Sequence, residues 1–513
     1  MNLNLDCFIG IDLGTSSCKV VLTDTKGKIF ASHRVNYSVE IGEGGKAEQD
    51  PRIWVEAMKD GVRKILHMTD ESYSVRGIGL TGQWSGTVPL SSDGKELYKA
   101  IIWMDTRGKK HVQKLTSGFP SISGYRVDKL VRWLRKTAGA PAHSGKDSLA
   151  HILYIKNEIP ELYQRTYKFL EPKDYLAFKL TGEFKASWDN ISLLWVTDNR
   201  NPNLIKYDDE LIEATGIDKG KLPELISPID VVGKLSQNVA AELGLPGDVS
   251  VISGSGDMQC SIVGAGSVGE GSLLLYAGTS LWITAHTTYK KTDIFHNIAS
   301  LPSALPGYYF VAAEQENAGN CLEYISRLLS LEGENKYTII EDLVSSSPAG
   351  AKNLVFLPWL FGERTPVEDP YIRGGFYNLS LEHDKGDFLR AVMEGVAYNS
   401  KWLLSTVERF ISRSKGPLTM SGGVALSSVW PKIFADVFER EIRVVENPNF
   451  STARGAAMIA SIGLGYLKAE EIESKISRVY TPDERNFNLY RKRYYHFVNY
   501  YWRNRKDMKK LNS

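Results

Sequence analysis

Four cysteines in 513 residues, at positions 7, 18, 260 and 321, are too few and too scattered for a disulfide framework or a zinc site. They fit a reducing compartment. No apolar run approaches the ~20 residues needed to span a bilayer. Residues 1–6 also lack a basic segment followed by an apolar core, so neither a membrane span nor a signal peptide is expected. Charge of one sign is lacking too: 62 Lys and Arg against 60 Asp and Glu leave +2, which gives no case for nucleic acid or bulk acidic substrates. Only the C-terminus is clearly basic, with eight Lys or Arg over residues 491–510 against Asp507. The same tail carries Phe487, Tyr490, Tyr494, Phe497 and Tyr501 at helical spacing. This reads as an amphipathic helix packed on the body rather than a nucleic-acid or membrane patch. The expectation is a cytoplasmic protein.

What is present is ordinary globular material, 42% apolar and 24% charged. The chain is too long for one core and predicts two domains. Near its middle, the β-branched run 249–252 predicts a buried strand, followed by Ser253-Gly254-Ser255-Gly256-Asp257 and then the apolar spacing of a helix start. Glycine and serine between strand and helix make a turn where backbone can approach a ligand closely. Asp257 is well placed there to accept a proton, or simply to cap the helix.

At the N-terminus, strands over 7–11, 19–23 and 28–35 are predicted, the first two joined by Asp12-Leu13-Gly14-Thr15-Ser16-Ser17. A Gly, Thr and Ser turn offers N–H groups and hydroxyls to phosphate oxygens. The neighbouring Asp12 carboxylate could hold magnesium, directly or through water. A glycine-rich hairpin alone is weak evidence. The pattern recurs, however, as a strand over 272–277, Gly278-Thr279-Ser280 and a strand over 281–284. Two such hairpins with a carboxylate turn between them describe a nucleotide cleft between two similar halves.

Between the hairpins, Asp50-Pro51 opens a helix whose Ile53, Trp54, Ala57, Met58, Val62, Ile65 and Leu66 share a core-facing stripe. A strand over 75–80 feeds Gln83, an amide donor and acceptor, and Trp84, a flat apolar face; both suit a polyol, or Trp84 is a buried ring in a turn. Trp103-Met104-Asp105-Thr106-Arg107 ends another strand with a carboxylate and a guanidinium that can equally pair with each other. In the second half, long helices over 388–402 and 428–439 flank Ser421-Gly422-Gly423, whose glycines let backbone lie flat against a planar group such as adenine.

These stretches, in this order over nearly the whole chain, resemble the FGGY carbohydrate kinases, and among them the xylulokinases most closely. The shared motifs include Gly10-Ile11-Asp12-Leu13-Gly14-Thr15-Ser16, Gly82-Gln83, Trp103-x-Asp105-x-Arg107 and Lys173-Asp174-Tyr175-Leu176. They continue with Gly256-Asp257, Gly278-Thr279-Ser280, Gly362-Glu363-Arg364-Thr365-Pro366, Ser421-Gly422-Gly423 and Gly455-Ala456-Ala457. The resemblance implies an α/β fold of two ribonuclease H-like domains, of the actin and sugar-kinase superfamily, with an interdomain cleft; the expected division is 1–264 and 265–513.

By position, the resemblance makes Asp257 the general base and Asp12 the carboxylate near Mg2+. It makes Gly14, Thr15, Ser16, Lys19, Gly278, Thr279, Gly422, Gly423 and Ser427 the ATP contacts. Gln83, Trp84, Trp103, Asp105 and Asp257 then line the sugar site. The expected reaction is ATP-dependent phosphorylation of a small sugar or polyol, foremost a xylulose-like ketopentose. The alternatives are a kinase for glycerol, a tetritol, ribulose or gluconate, or a catalytically idle sugar or nucleotide binder. A homodimer is an open option; no nucleic acid and no membrane are expected as partners. Three positions depart from the family pattern: Trp84-Ser85 replaces the usual Met-His, Asn378 replaces a common glycine, and Asn449-Phe450 stands where a glutamate is common.

Overall fold

Alternating and continuous apolar runs favour pleated strands buried on both faces, and the computed structural model, described for residues 5–69, 73–412 and 416–513, gathers twelve strands into two six-stranded sheets. The first contains β1 (Leu5–Leu13), β2 (Ser17–Asp24), β3 (Ile29–Asn36), β4 (Tyr73–Gly82), β5 (Val231–Lys234) and β6 (Ser250–Gly256) in the order β5-β6-β4-β1-β2-β3. β1, β2 and β3 form an antiparallel meander, β4 and β6 run parallel to β1, and β5 is antiparallel at the edge. Helix α1 (Pro51–His67) is capped by Asp50 and buries Trp54, Ala57, Met58, Val62 and Ile65. Ile53, assigned to the same stripe from its spacing, lies on the exposed side of that helix. Helix α2 (Pro172–Thr181) and helix α3 (Asp257–Gly264) complete the part of this half that shapes the cleft.

The second sheet repeats the first. It contains β7 (Leu274–Ala277), β8 (Leu281–Thr284), β9 (Glu314–Gln315), β10 (Leu418–Ser421), β11 (Ile442–Val445) and β12 (Ile476–Tyr480) in the order β9-β8-β7-β10-β11-β12. Again an antiparallel meander comes first, then two parallel strands and an antiparallel edge. Around it lie α4 (Gly319–Leu328), the 27-residue α5 (Lys385–Ile411) with an Asp384–Asp387 capping box, α6 (Trp430–Phe438), α7 (Ser451–Gly463) and α8 (Phe487–Asn512). This is the expected duplicated ribonuclease H-like architecture. The helix expected over 388–402 starts three residues earlier and ends nine later, because the capping box sets its start and apolar residues continue to Ile411.

The halves are joined by exchange. Helix α7 comes from the second half but lies on the first sheet, so closely that a Cβ at Gly10 would stand 1.9 Å from the Ala453 carbonyl, and one at Gly79 1.9 Å from that of Ala456. Helix α3 crosses α7 with equally little room, Gly455 against the Cys260 carbonyl and Gly264 against that of Ser451. In return, Ile262 and Val263 of α3 share a buried cluster with Leu274 and Val445 of the second sheet. Helix α8 packs as its spacing predicts: Tyr490, Phe497 and Tyr501 are buried, and Tyr490 donates to Glu394 at 2.9 Å. Among the described residues, no helix is long and apolar enough to cross a membrane.

Candidate active site

The three sequence-predicted pieces meet at the ends of the central strands. Asp12, next to last in β1, pairs with Lys19 Nζ at 3.4 Å, directly opposite it on β2. Burial works against the Lys19 charge, but the fields of Asp12 and the Tyr276 phenol outweigh it and hold the lysine above its ordinary value. In the turn between the strands, Gly14 N donates to Ser17 O at 2.9 Å and Tyr37 Oη donates to the Gly14 carbonyl at 2.6 Å. Ser16 is exposed and Thr15 half-buried. In the second hairpin, Gly278 N bonds Ser280 O at 2.9 Å, and Thr279 is exposed.

Asp257 is the first residue of α3, its Oδ1 accepting from the Met258 N–H at 2.9 Å. Desolvation, reinforced by the negative charges of Asp12 and Glu314, pushes its carboxyl up to about 8. A helix N-terminus favours the carboxylate, so burial and two like charges prevail over it here. Tyr276 of the second hairpin also feels Lys19, Asp12 and Asp257, which brings both hairpins and the carboxylate into one electrostatic neighbourhood.

On the expected sugar side, Gln83 Nε2 donates to Gln49 Oε1 at 2.9 Å, and Gln49 Nε2 in turn donates to the Thr15 carbonyl at 2.9 Å. Gln83 Oε1 is buried without a protein partner. Trp103 Nε1 donates to Thr15 Oγ1 at 2.9 Å, so the hydroxyl hydrogen of Thr15 is left to point elsewhere. Trp84 is a buried ring: its Nε1 donates to the Asn190 carbonyl at 2.6 Å and its face leans on Phe310, centroids 5.8 Å apart. Asp105 takes the pairing alternative. Its oxygens accept from Ala47 N at 2.9 Å and from the Arg107 guanidinium at 2.7 Å, and Arg107 also reaches Glu48 at 2.7 Å.

Several charged groups here were not assigned a role from sequence. Arg364 lies between Glu314 and Glu316, the latter at 2.9 Å. Lys146, from the first half, reaches Glu316 at 3.3 Å and packs against the rings of Trp103 and Phe361. Glu363 is pushed up to about 8 by burial, although its oxygens accept from the Arg364 N–H and the Asn399 amide. Glu314 and Glu316 stand in no glycine-rich or patterned stretch, so only the fold reveals them.

At the expected nucleotide end, Gly422 has φ +93°, and a Cβ there would stand 2.3 Å from the Ala277 carbonyl, just before the second hairpin. Gly423 is exposed and faces open space. Gly319 N donates to the Gly278 carbonyl at 2.9 Å and Asn320 N to that of Thr279 at 3.3 Å. From that point opens a cavity of 520 Å³, lined among others by Asn320, Glu323, Tyr324, Arg327 and Lys336. Ser427 Oγ is occupied at the start of α6, accepting from Trp430 N at 3.1 Å. Gly319 carries no hairpin motif, so only the fold brings it to the second hairpin.

Sheets duplicated in this way, with a cleft between their hairpins, define the two-lobed actin and sugar-kinase class. Within it, the chain belongs to the FGGY family of carbohydrate kinases, whose N-terminal domain model matches residues 7–264 and whose C-terminal domain model matches 273–464. It is 31% identical over 495 residues to a xylulose kinase of Staphylococcus epidermidis, covering 95% of this chain and 94% of that one. It is also 26% identical over 506 residues to a gluconokinase of Bacillus licheniformis, covering 96% and 94%. Among solved structures, a gluconate kinase and a ligand-bound xylulose kinase, both from Lactobacillus acidophilus, superpose with TM-scores of 0.85 and 0.84. Each is 25% identical, over 99% of this chain and 100% of the other. The protein is a sugar kinase.

Proposed function

We propose that this kinase transfers the γ-phosphoryl group of ATP to a hydroxyl of a neutral, xylulose-like ketopentose, with Asp257 as general base. The observation that carries the reading is the Asp257 carboxyl, desolvated and raised to about 8 in the neighbourhood of both hairpins. A base poised near neutrality at the mouth of a nucleotide cleft suits removal of a hydroxyl proton. Phosphoryl transfer otherwise asks mainly for positioning and charge neutralisation. Gly14 and Gly278 close the two turns with their own N–H groups, leaving Thr15, Ser16 and Thr279 to supply donors for the phosphates, with Lys19 beside them. Gly422, Gly423 and the cavity beyond Asn320 receive the nucleoside.

The donor set fits magnesium of the nucleotide-borne kind. Among the described residues no group of three or more His, Cys, Asp or Glu forms a metal cage, and magnesium is typically held by one or two carboxylates plus phosphates and waters. Asp12 would hold it, releasing Lys19 toward the phosphates; the ion supplies neutralisation of phosphate charge. Gln83 Oε1, a buried acceptor without a partner, is the kind of group a sugar hydroxyl satisfies, since leaving it unmet costs about 1–3 kcal/mol. In this reading Trp103 and Asp257 complete the sugar site, whereas Trp84 and Asp105, held by Asn190 and Ala47, support it.

A neutral sugar is favoured over a sugar acid by charge. Lys19, Lys146 and Arg364 are each already paired with a carboxylate, and Asp12, Asp257, Glu314 and Glu316 surround the space, so a substrate carboxylate would meet repulsion. We take 1–264 and 265–513 as the bodies that close on each other about the α3–α7 crossing, expelling water that would hydrolyse ATP. The same reading puts the protein in the cytoplasm, where its four buried cysteines stay reduced. A coupled ADP-release assay over D-xylulose, D-ribulose, glycerol, erythritol and D-gluconate tests it. D-xylulose or another ketopentose should give the highest kcat/KM and D-gluconate no stimulation. A preference for D-gluconate overturns the substrate assignment, and no stimulation by any sugar overturns the catalytic one.

A further inference from the structure

Beside the strand that leads into Asp257 lies a fully buried ion pair that the chemistry above does not use. Lys173 and Asp174, at the start of α2, are each 1% exposed and bonded to each other. Lys173 Nζ also donates to the Ser253 carbonyl at 3.1 Å, four residues before Asp257 on the strand that ends in it. Asp174 Oδ2 accepts from Asn190 Nδ2 at 3.0 Å, and the Asn190 carbonyl is the acceptor of the Trp84 indole N–H at 2.6 Å. A second link runs in parallel, Ser255 Oγ donating to Asp189 beside Asn190. One buried pair therefore grips both walls of the proposed sugar pocket.

Such a pair has a poor claim as a stabilising device. Taking a lysine and a carboxylate out of water costs as much as their attraction returns, and well-packed apolar replacements often do no worse. What a buried charge pair with fixed partners does supply is geometry. β6 needs it, because its register against β4 slips between Ile252 and Ser255, and an irregular strand end has fewer ladder bonds to hold it. The Lys173 ammonium meets the strand within that slipped stretch.

We propose that Lys173 is a positioning residue for phosphoryl transfer: through the Ser253 carbonyl it fixes the strand end that presents Asp257, and through Asp174 and Asn190 it keys that strand end to the Trp84 loop. This rests on the reading of Asp257 as the base. Displacing a reacting group by about 1 Å costs roughly 100-fold in rate, and that is the effect to look for.

The test uses the full-length enzyme and the double variant Lys173→Met/Asp174→Leu, which removes both charges at similar volume. A second variant, Lys173→Gln/Asp174→Asn, removes the charges but keeps hydrogen-bonding groups. Melting curves establish that the variants fold, and kcat, sugar KM and nucleotide KM are then measured beside Asp257→Asn. The expected result is a loss of about 100-fold in kcat and a higher sugar KM with nucleotide KM unchanged, a split that lower stability alone does not produce. A folded variant whose kcat and sugar KM stay within twofold of wild type overturns the proposal. If Asp257→Asn meanwhile loses turnover, the base assignment survives that result. If Asp257→Asn keeps turnover, the base assignment fails and the positioning role falls with it. If neither variant folds, the pair belongs to stability and the proposal is overturned.

Discussion

The two Gly-Thr-Ser hairpins occupy equivalent places in equivalent sheets, yet their flanking pairs could hardly differ more. Two residues before the glycine, the first hairpin has Asp12, opposite Lys19; the second has Tyr276, opposite Trp282. One is an ion pair at 3.4 Å, the other two parallel rings with centroids 4.0 Å apart. Duplication has kept the backbone frame proposed above to meet phosphate and has let the flanking side chains diverge. The charged hairpin offers a hard oxygen and a cation. The aromatic one offers a wall that excludes water, tied to α3 by the Trp282 indole donating to Ser261 at 3.3 Å. That wall helps to explain why Asp257, standing between them, is so reluctant to ionise.

The largest effect expected is at the residue between the hairpins. Asp257→Ala should lose about 10²–10⁴-fold in kcat, the usual worth of a general base, while nucleotide affinity measured by calorimetry is retained. The pH profile sharpens this: kcat/KM should rise with pH up to about 8, and Asp257→Asn should abolish that limb. Stability follows the opposite course. Asp257 binds its proton more tightly folded than unfolded, so its contribution is intact below about pH 4 and is lost as pH rises toward 8. Asp257→Asn should therefore melt above wild type at pH 8, the gap closing toward pH 4. A melting difference independent of pH would show that the carboxyl is not desolvated.

Next in size is the asymmetry itself. Asp12→Asn should weaken magnesium dependence by about 10–100-fold, the range found when groups that orient a metal site are removed. Tyr276→Phe, at the equivalent place, should leave the magnesium titration unchanged. Equal responses would mean that the hairpins share the metal and that the division of labour is misread. The smallest effect separates two adjacent glycines. Gly422→Ala forces a side chain into a left-handed conformation against the Ala277 carbonyl. Such strain costs on the order of 1–3 kcal/mol, so nucleotide KM should rise by about tenfold. Gly423→Ala meets open space and should stay within twofold.

Much of this was legible before any fold was known. The hairpins, the strand–turn–helix at Asp257 and the α8 stripe are local patterns in which residue spacing and backbone conformation agree, and each appears where the spacing puts it. The family resemblance rested on their order. What escaped is nonlocal. Lys146 meets Glu316 across 170 residues, and Gly319 meets Gly278 through a backbone bond that no side chain announces. Asp105 and Trp84 were ambiguous for a related reason: whether a carboxylate or an indole faces ligand or protein depends on partners such as Ala47 and Asn190 that lie far away in sequence. Ile53 was assigned to a core stripe by periodicity, but it falls at the edge of the arc that α1 buries.

The glycine-floored contact between α7 and the first sheet also sets an order in time. Helix α7 begins 187 residues after α3 ends at Gly264, and at ~5–20 residues per second a ribosome needs roughly 10–40 s to make that stretch. Throughout that interval the nascent first sheet presents Gly10 and Gly79 as a bare trough with nothing laid in it. A fragment ending before Ser451 inherits that trough permanently, which predisposes it to stick to its neighbours. The N-terminal half is thus a domain by topology but not an independent passenger: it waits, unfinished, for a helix encoded almost at the far end of the message.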